Sequence, residues 1–369
     1  MYFFAGGGTG GHIYPAIAIA QQLKKIDAET KIKFLCSRRP IDSQILSQAG
    51  FDYVELGAIA PAARPDRFIA FLFYLLGSYY KSKRILRAST GNAVVIGTGG
   101  FVSVPAVLAA ARLDIPVVLV NVDIVPGKAN KLLARFAQRI FTQFAETAEC
   151  FGKYSKRIEQ TGCPLREGFG KTDGGKAIEK LNLDENKKTL VVTGASSGAK
   201  NINNAVCKIL PELTEFADTW QVVHLTGMAD YERVKAAAGY TKIRYQVVDY
   251  YDDSADLYAA ADLIVGRAGA VSVAEYAASG AASVCIPYPY HKDRHQYRNA
   301  GPLVKAEAAV IVEDAREDTE TTARGLLREL KRLMGDDEKR NKMAQAAKGC
   351  ADLDAAAKIA HSIDKLNKM

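Results

Sequence analysis

Cysteine is scarce in this chain of 369 residues, and the few cysteines present are not arranged for chemistry. Cys36, Cys150, Cys163, Cys207, Cys285 and Cys350 show neither a C-x-x-C step nor a Cys/His cluster, which argues against a zinc site and a disulfide framework. A reducing cytosol is the simplest compartment for them. Long apolar runs are missing too. The opening MYFFAGGG is too short for a secretory signal, lacks a basic stretch and runs straight into glycines, so it reads as a first strand. The apolar centre of Arg64–Arg87 falls short of the ~20 residues a bilayer span needs. No RNA-binding or DNA-binding signature accompanies the net charge of +8 and the pI near 9.0. That charge therefore suits an anionic ligand or an anionic membrane face, with nucleic acid ranked last.

What the chain does have is alternation. Strand-like runs at Tyr2–Ala5, Ile32–Cys36, Ala93–Ile96, Pro116–Val120 and Arg139–Phe144 are separated by helical patterns, such as Ala16, Ile19, Ala20 and Leu23 at i, i+3, i+4 and i+7. A second series follows at Thr189–Thr193, Gln221–Leu225, Arg244–Val248, Asp262–Val265, Ala282–Ile286 and Ala309–Val312. The expected class is α/β, with a doubly wound parallel sheet formed twice. Length fits two domains, joined where Gly, Pro, Asp and Lys replace the periodicity in Thr161–Gly175. The expected division is 1–163, 164–348 and a helical tail, 349–369, packing back on the first domain, with the two domains facing a cleft. Ligands of such sheets bind beyond the carboxyl ends of the strands, so the loops there carry the candidate sites.

Three of those loops are rich in glycine. Gly6-Gly-Gly-Thr9-Gly10-Gly11-His12 leaves the first strand and enters the first helix; it has no Walker lysine and is no clean dinucleotide fingerprint. It serves either as a tight turn or as a close approach to an anion or sugar, and His12 at its end offers an imidazole for taking a proton. Gly97–Ser103, with Gly99 and Gly100, is either a second phosphate cradle or a turn for close packing. Gly194–Lys200 brings Ser196 to a third strand-to-helix junction suited to phosphate. The fullest stretch is residues 266–300. There Arg267, Gly269 and Ala270 turn a strand into a helix whose N-terminus suits a pyrophosphate, and Glu275 further along suits ribose hydroxyls. Asp293–Asn299 then supplies a dense set of donors and acceptors. The pair Asp252-Asp253 reads as helix-start acids rather than a metal site.

The segment Arg64–Arg87 sets apolar Phe68, Phe71, Leu72 and Leu75 between Arg64 and Arg67 on one side and Lys81, Lys83, Arg84 and Arg87 on the other. It is either a buried helix with solvated ends or a patch that enters a lipid boundary beside anionic headgroups.

In order and across nearly the whole chain, GGGTGGHIYPAIAIA, GTGGFVSVPAVLAA, TGASSGAKNINN, GRAGAVSVAEYAASG and HKDRHQYRNA resemble the MurG family, the UDP-N-acetylglucosamine:lipid I N-acetylglucosaminyltransferases of peptidoglycan synthesis. The resemblance implies a GT-B fold and a peripheral enzyme on the cytoplasmic face of the plasma membrane. It would invert the sugar while joining GlcNAc to the C4 hydroxyl of MurNAc in undecaprenyl-linked lipid I, giving lipid II. It places Arg166 and Ser196 near the nucleotide, Tyr251 at uracil through its backbone, Glu275 on the ribose, and Gln296 and Asn299 on the GlcNAc hydroxyls. His12, Thr9 and Gly97–Ser103 would face the acceptor and its pyrophosphate. The chain departs from the family pattern at Val120-Asn121-Val122-Asp123, where a His-Glu-Gln-Asn segment is usual, at Phe101 in place of tyrosine, and at His295 in place of glutamine.

For the reaction, charge growing on the UDP β-phosphate would be met by helix dipoles with Arg267 or Arg166, and the base would be His12 or Asp123. No ligand cluster for a metal stands out, and the need for a divalent cation is open. Two other readings fit the same motifs: a GT-B enzyme using a UDP-sugar on another lipid or polyprenyl acceptor, and a membrane-associated UDP-sugar-binding protein without turnover.

Overall fold

The computed structural model describes residues 1–59, 65–89, 91–194, 198–239 and 241–368, leaving out the side chains of residues 65–67. Two compact units divide the chain, Met1–Arg166 with Asp352–Met369 and Glu167–Ala351. The first holds strands β1 (Tyr2–Gly6), β2 (Ile32–Ser37), β3 (Tyr53–Leu56), β4 (Val94–Gly99), β5 (Val117–Asn121), β6 (Arg139–Thr142) and β7 (Ile158–Gln160). The second holds β8 (Lys188–Thr193), β9 (Trp220–Leu225), β10 (Arg244–Val248), β11 (Leu263–Gly266), β12 (Ala282–Cys285) and β13 (Ala309–Ile311). Every pairing is parallel.

The strand orders explain why both sheets build sites. They run β3-β2-β1-β4-β5-β6-β7 and β10-β9-β8-β11-β12-β13. Each chain path starts in the middle, winds one way, and then returns to wind the other way. The reversal falls between β1 and β4 in one sheet and between β8 and β11 in the other, and the crevice beyond the strands at that point is where doubly wound sheets take ligands. The central strands are continuous apolar runs because helices cover both faces, and β1, β4, β5, β8 and β9 are buried along nearly their whole length.

Strands β3 and β7 have no counterpart in the sequence reading. Both are short and carry charge, β3 as YVEL and β7 as IEQ, and each lies at the edge of its sheet, where water reaches one side. The unit boundaries also sit three residues later than the expected 163/164 and 348/349. Arg166 stacks its guanidinium 4.1 Å from the centre of the Tyr14 ring, which keeps it with the first unit. Cys350 and Ala351 bond back to Ala347 and Lys348 and so finish the last helix of the second.

The tail helix Ala355–Lys368 lies against helix Gly10–Ile26 in the first unit. It buries Ile359, Ala360 and Ile363, while Tyr2 Oη donates to Asp364 at 3.1 Å and Arg139 donates to Ser362 Oγ at 2.7 Å. Truncating Ile359 to alanine is expected to cost about 2–5 kcal/mol through the cavity it leaves. Chemical denaturation of the purified variant checks this, with exposed Lys365→Ala expected to stay within about 0.5 kcal/mol of the parent.

Candidate active site

In the first unit, the loops after β1, β2, β3 and β4, with Tyr74 of helix Pro65–Arg87, line a cavity of about 570 Å³. Thr9 caps helix Gly10–Ile26 in an extended conformation, and His12 in its first turn lines the cavity. His12 Nδ1 lies 3.0 Å from the Gly7 carbonyl and 3.4 Å from Thr9 Oγ1. A carbonyl only accepts, so Nδ1 carries the proton and Nε2 of the neutral ring has the lone pair. The second glycine loop closes on this ring. A Cβ on Gly99 would stand 2.9 Å from His12 Cδ2 and 3.0 Å from Nε2, so only glycine leaves that edge of the imidazole open.

The cavity contains residues that belong to no sequence motif. Ser37 ends β2, Arg38 and Arg39 follow it, and all three line the cavity, with Arg39 donating to the Gly8 carbonyl at 2.7 Å. Behind them Asp42 is fully buried and receives Gly8 N–H at 2.9 and 2.8 Å, Ser37 N–H at 3.0 Å and Ser37 Oγ–H at 2.6 Å. The available signal was positional: β2 ends on the same edge as β1, so its loop falls under the same rule. Asp123, the other base candidate, is half-buried in the turn after β5 and does not line the cavity. Its carbonyl accepts from Asn121 at 2.6 Å, and Asn121 in turn accepts from buried Asn130 at 3.0 Å.

In the second unit, the loop Arg267–Gly269 joins β11 to helix Ala270–Ser279, which starts at Ala270 and ends on left-handed Gly280. Glu275 is buried on this helix. Tyr276 ties the helix to its own entry loop by donating to the Arg267 carbonyl at 3.0 Å. The Arg267 guanidinium is committed inside the unit: NH1 donates to Asp314 at 2.8 Å and to the Ile286 carbonyl at 3.0 Å. Asp314 also accepts from Asn201 at 2.8 Å, at the start of helix Lys200–Leu213. The Asp314–Arg267 pair thus joins the loops after β8, β11, β12 and β13, the carboxylate reaching Asn201 and the guanidinium reaching Ile286. Gln296 accepts from Tyr288 N–H at 2.8 Å and braces the loop after β12. Asn299, expected on sugar hydroxyls, is fully buried and donates to the Ala268 carbonyl at 3.4 Å, so this contact supports the entry loop. Tyr251 lies in the loop after β10, half-buried, and burial raises its hydroxyl pKa. Ser196 lies outside the described residues, as does Arg64. Arg166, expected in the second unit, belongs to the first.

Helix Pro65–Arg87 turns a different face outward from the one the spacing suggested. Phe68 and Leu72 are exposed, but Phe71 and Leu75 are half-buried, with Leu75 against the core of the first unit. The most exposed row is Ile69, Phe73, Leu76 and Tyr80, at 69%, 76%, 56% and 65% exposure. Lys81 and Arg84 are exposed near its end, and Lys81 donates to the Glu55 carbonyl at 2.8 Å. Among the described residues no helix is long and apolar enough to cross a membrane.

Residues 2–142 match the glycosyltransferase family 28 N-terminal domain and residues 189–361 its C-terminal domain. A UDP-N-acetylglucosamine–N-acetylmuramyl-(pentapeptide) pyrophosphoryl-undecaprenol N-acetylglucosamine transferase from Halothermothrix orenii is 38% identical over 356 residues, covering 94% of this chain and 93% of its own. A protein of the same name from Listeria monocytogenes serotype 4a is 33% identical over 368 residues and 99% of both chains. In fold, the chain resembles the crystal structure of Acinetobacter baumannii MurG, with a TM-score of 0.72 at 24% identity over 99% of both chains. It also resembles a putative UDP-N-acetylglucosamine 2-epimerase from Listeria monocytogenes, with a TM-score of 0.73 at 16% identity, covering 99% of this chain and 96% of the other.

Behind Gly198, whose missing side chain leaves room for the Thr226 carbonyl, stands a buried polar chain. Tyr245 donates to His224 Nδ1 at 2.5 Å, His224 Nε2 donates to Asn203 Oδ1 at 3.0 Å, and the Asn203 amide donates to the Thr226 carbonyl at 2.9 Å and to Asp230 at 2.8 Å. Each donor meets an acceptor only if His224 is neutral with its proton on Nε2. Burial lowers its pKa to about 3, against 6.5 for a solvated imidazole. Between these values the unfolded chain binds a proton that the native state refuses, so stability falls as pH falls, by about 1.4 kcal/mol per pH unit. His224→Gln is expected to remove this share of the slope, read from denaturant midpoints between pH 4 and 6. Equal slopes in parent and variant would refute the assignment.

Proposed function

The chain belongs to the MurG family, within glycosyltransferase family 28, and has its two-unit GT-B fold; from that premise we propose that it transfers GlcNAc from UDP-GlcNAc to the C4 hydroxyl of MurNAc in undecaprenyl-pyrophosphoryl-MurNAc-pentapeptide. The single observation that carries this reading is the coincidence of full-length relatedness with two switch-point crevices, one glycine-lined and holding a histidine, the other built on a helix N-terminus with a buried glutamate.

The second unit takes the donor. N–H groups at the starts of helices Ala270–Ser279 and Lys200–Leu213 face the diphosphate, where the helix dipoles favour the charge that grows as UDP leaves. Glu275 accepts from the ribose hydroxyls, and Tyr251 borders the uracil through its backbone. Gln296 reads the sugar with its amide group, while Asn299 and Arg267 hold the loops in place. The first unit takes the acceptor. Arg38 and Arg39 supply positive charge in its cavity for the pyrophosphate, and His12 Nε2 removes the C4 proton as that oxygen attacks the anomeric carbon. Attack opposite UDP on an oxocarbenium-like carbon inverts the configuration in one displacement.

Transfer of labelled GlcNAc from UDP-GlcNAc to a lipid I analogue tests the reading. Label on another lipid, or on none, would overturn it. In the same assay His12→Gln is expected to lower kcat by about 10²–10⁴-fold at little cost to donor KM. Glu275→Ala is expected to raise donor KM by about 10–100-fold, the worth of hydrogen bonds to a charged group.

We also propose that helix Pro65–Arg87 seats the protein on the anionic cytoplasmic face of the plasma membrane, with Ile69, Phe73, Leu76 and Tyr80 in the lipid boundary and Lys81 and Arg84 at the headgroups. A contiguous apolar row on a helix flanked by cations supports this. Phe73→Ser with Leu76→Ser should abolish sedimentation with anionic vesicles and leave transfer to a detergent-soluble acceptor intact.

A further inference from the structure

The buried carboxylate of Asp42 faces the reacting histidine through a single peptide plane. Gly8 N–H and Gly7 C=O belong to the same trans amide and point in opposite directions. Both Asp42 oxygens accept from Gly8 N–H, and the Gly7 carbonyl on the other side accepts from His12 Nδ1. Glycine flanks this plane on both sides, at φ +152° for Gly7 and +89° for Gly8, where L side chains are disfavoured. Such a plane rotates easily unless something holds it. Rotated by half a turn, it would present Gly8 N–H to His12 Nδ1. The ring would then carry its proton on Nε2, with no lone pair on the side facing Gly99.

The carboxylate is built for this hold. It is fully buried, which is costly for a charge unless donors surround it, and here the donors are Gly8 N–H, Ser37 N–H and Ser37 Oγ–H. A Cβ on Gly7 would stand 2.2 Å from Asp42 Oδ2, so the loop is packed directly against it. Arg39 adds a second tie at the Gly8 carbonyl, and Gly100 packs beside the Gly7 carbonyl, where a Cβ would be 2.7 Å from the oxygen.

We propose that Asp42 is a positioning residue for His12: it locks the Gly7–Gly8 peptide with its carbonyl toward Nδ1 and so keeps Nε2 bare to take the acceptor proton. Asp42 touches neither substrate nor reacting atom in this scheme. The role rests on the reading of His12 as the base, but the tautomer does not.

Nitrogen-15 NMR of histidine-labelled protein tests it, with His12→Gln assigning the His12 resonances among the five histidines. At alkaline pH, where imidazole is neutral, His12 of the parent is expected to show a protonated Nδ1 and a bare Nε2. Asp42→Ala should shift it toward the Nε2–H form and lower kcat by about 10–100-fold, part of what a positioned base contributes, with donor KM within about twofold. Asp42→Asn keeps the volume and one acceptor oxygen, so it should fall between the two, and it decides the matter if Asp42→Ala does not fold. A folded Asp42 variant that retains Nδ1–H and full kcat overturns the proposal, as does a loss of kcat with the tautomer unchanged. If instead no acceptor is glycosylated by the parent, the base assignment fails, and the NMR result still stands or falls by itself.

Discussion

Backbone crowding at the two points of strand reversal is the constraint on which the rest depends. Where β1 meets β4, a Cβ on Gly6 would lie 2.0 Å from Thr98 Oγ1; where β8 turns into its loop, a Cβ on Gly194 would lie 2.1 Å from Ala199 N. Neither place has room for a side chain. The chain therefore brings peptide groups, rather than side chains, to the mouth of each crevice, and peptide N–H groups suit the diphosphates proposed as ligands. Larger functional groups must enter from a helix that follows the loop, as His12 in a first turn and Glu275 in a second turn do, or from a neighbouring loop, as Arg39 does.

Bare peptide loops need support, and both units supply it by one device. A buried polar side chain outside the loop grips its backbone: Asp42 at Gly8 in the first unit, Asn203 at Thr226 in the second, where the Thr226 carbonyl in turn abuts Gly198. The chemistry of the grip differs. Asp42 is a charged acceptor set among donors, whereas the Tyr245–His224–Asn203 chain is neutral throughout and owes its direction to the placement of one proton. Asp314 extends the same principle across several loops at once, with Arg267 as its counter-charge.

Much of this was legible in the sequence, for physical reasons that also mark where legibility ends. The central strands among the eleven runs stood out because burial on both faces demands continuous hydrophobicity, while edge strands β10 and β13 kept enough Val, Ile and Tyr to register, and the glycine clusters mark loops because only glycine fits there. Strands β3 and β7 escaped notice because edge positions do not demand that signature. Asp42 escaped because its meaning lies in a contact across 34 residues of chain, with no local pattern. Asn299 carried the right chemistry for a sugar, yet burial turns it toward Ala268. The helix Pro65–Arg87 misled by abundance: apolar residues surround so much of it that the set Phe68, Phe71, Leu72 and Leu75 mixed the inward side at Leu75 with residues beside the outward row at Phe73.

The return of helix Ala355–Lys368 to the first unit has a consequence for how the molecule is made. A ribosome delivers the partners of this helix, including the apolar side of Gly10–Ile26, long before the helix itself, because all of Glu167–Ala351 must be translated in between. At ~5–20 residues per second that interval is roughly 10–40 s. Through it the nascent N-terminal sheet carries an uncovered greasy stripe, while the inserted unit, continuous in the chain, is able to mature first.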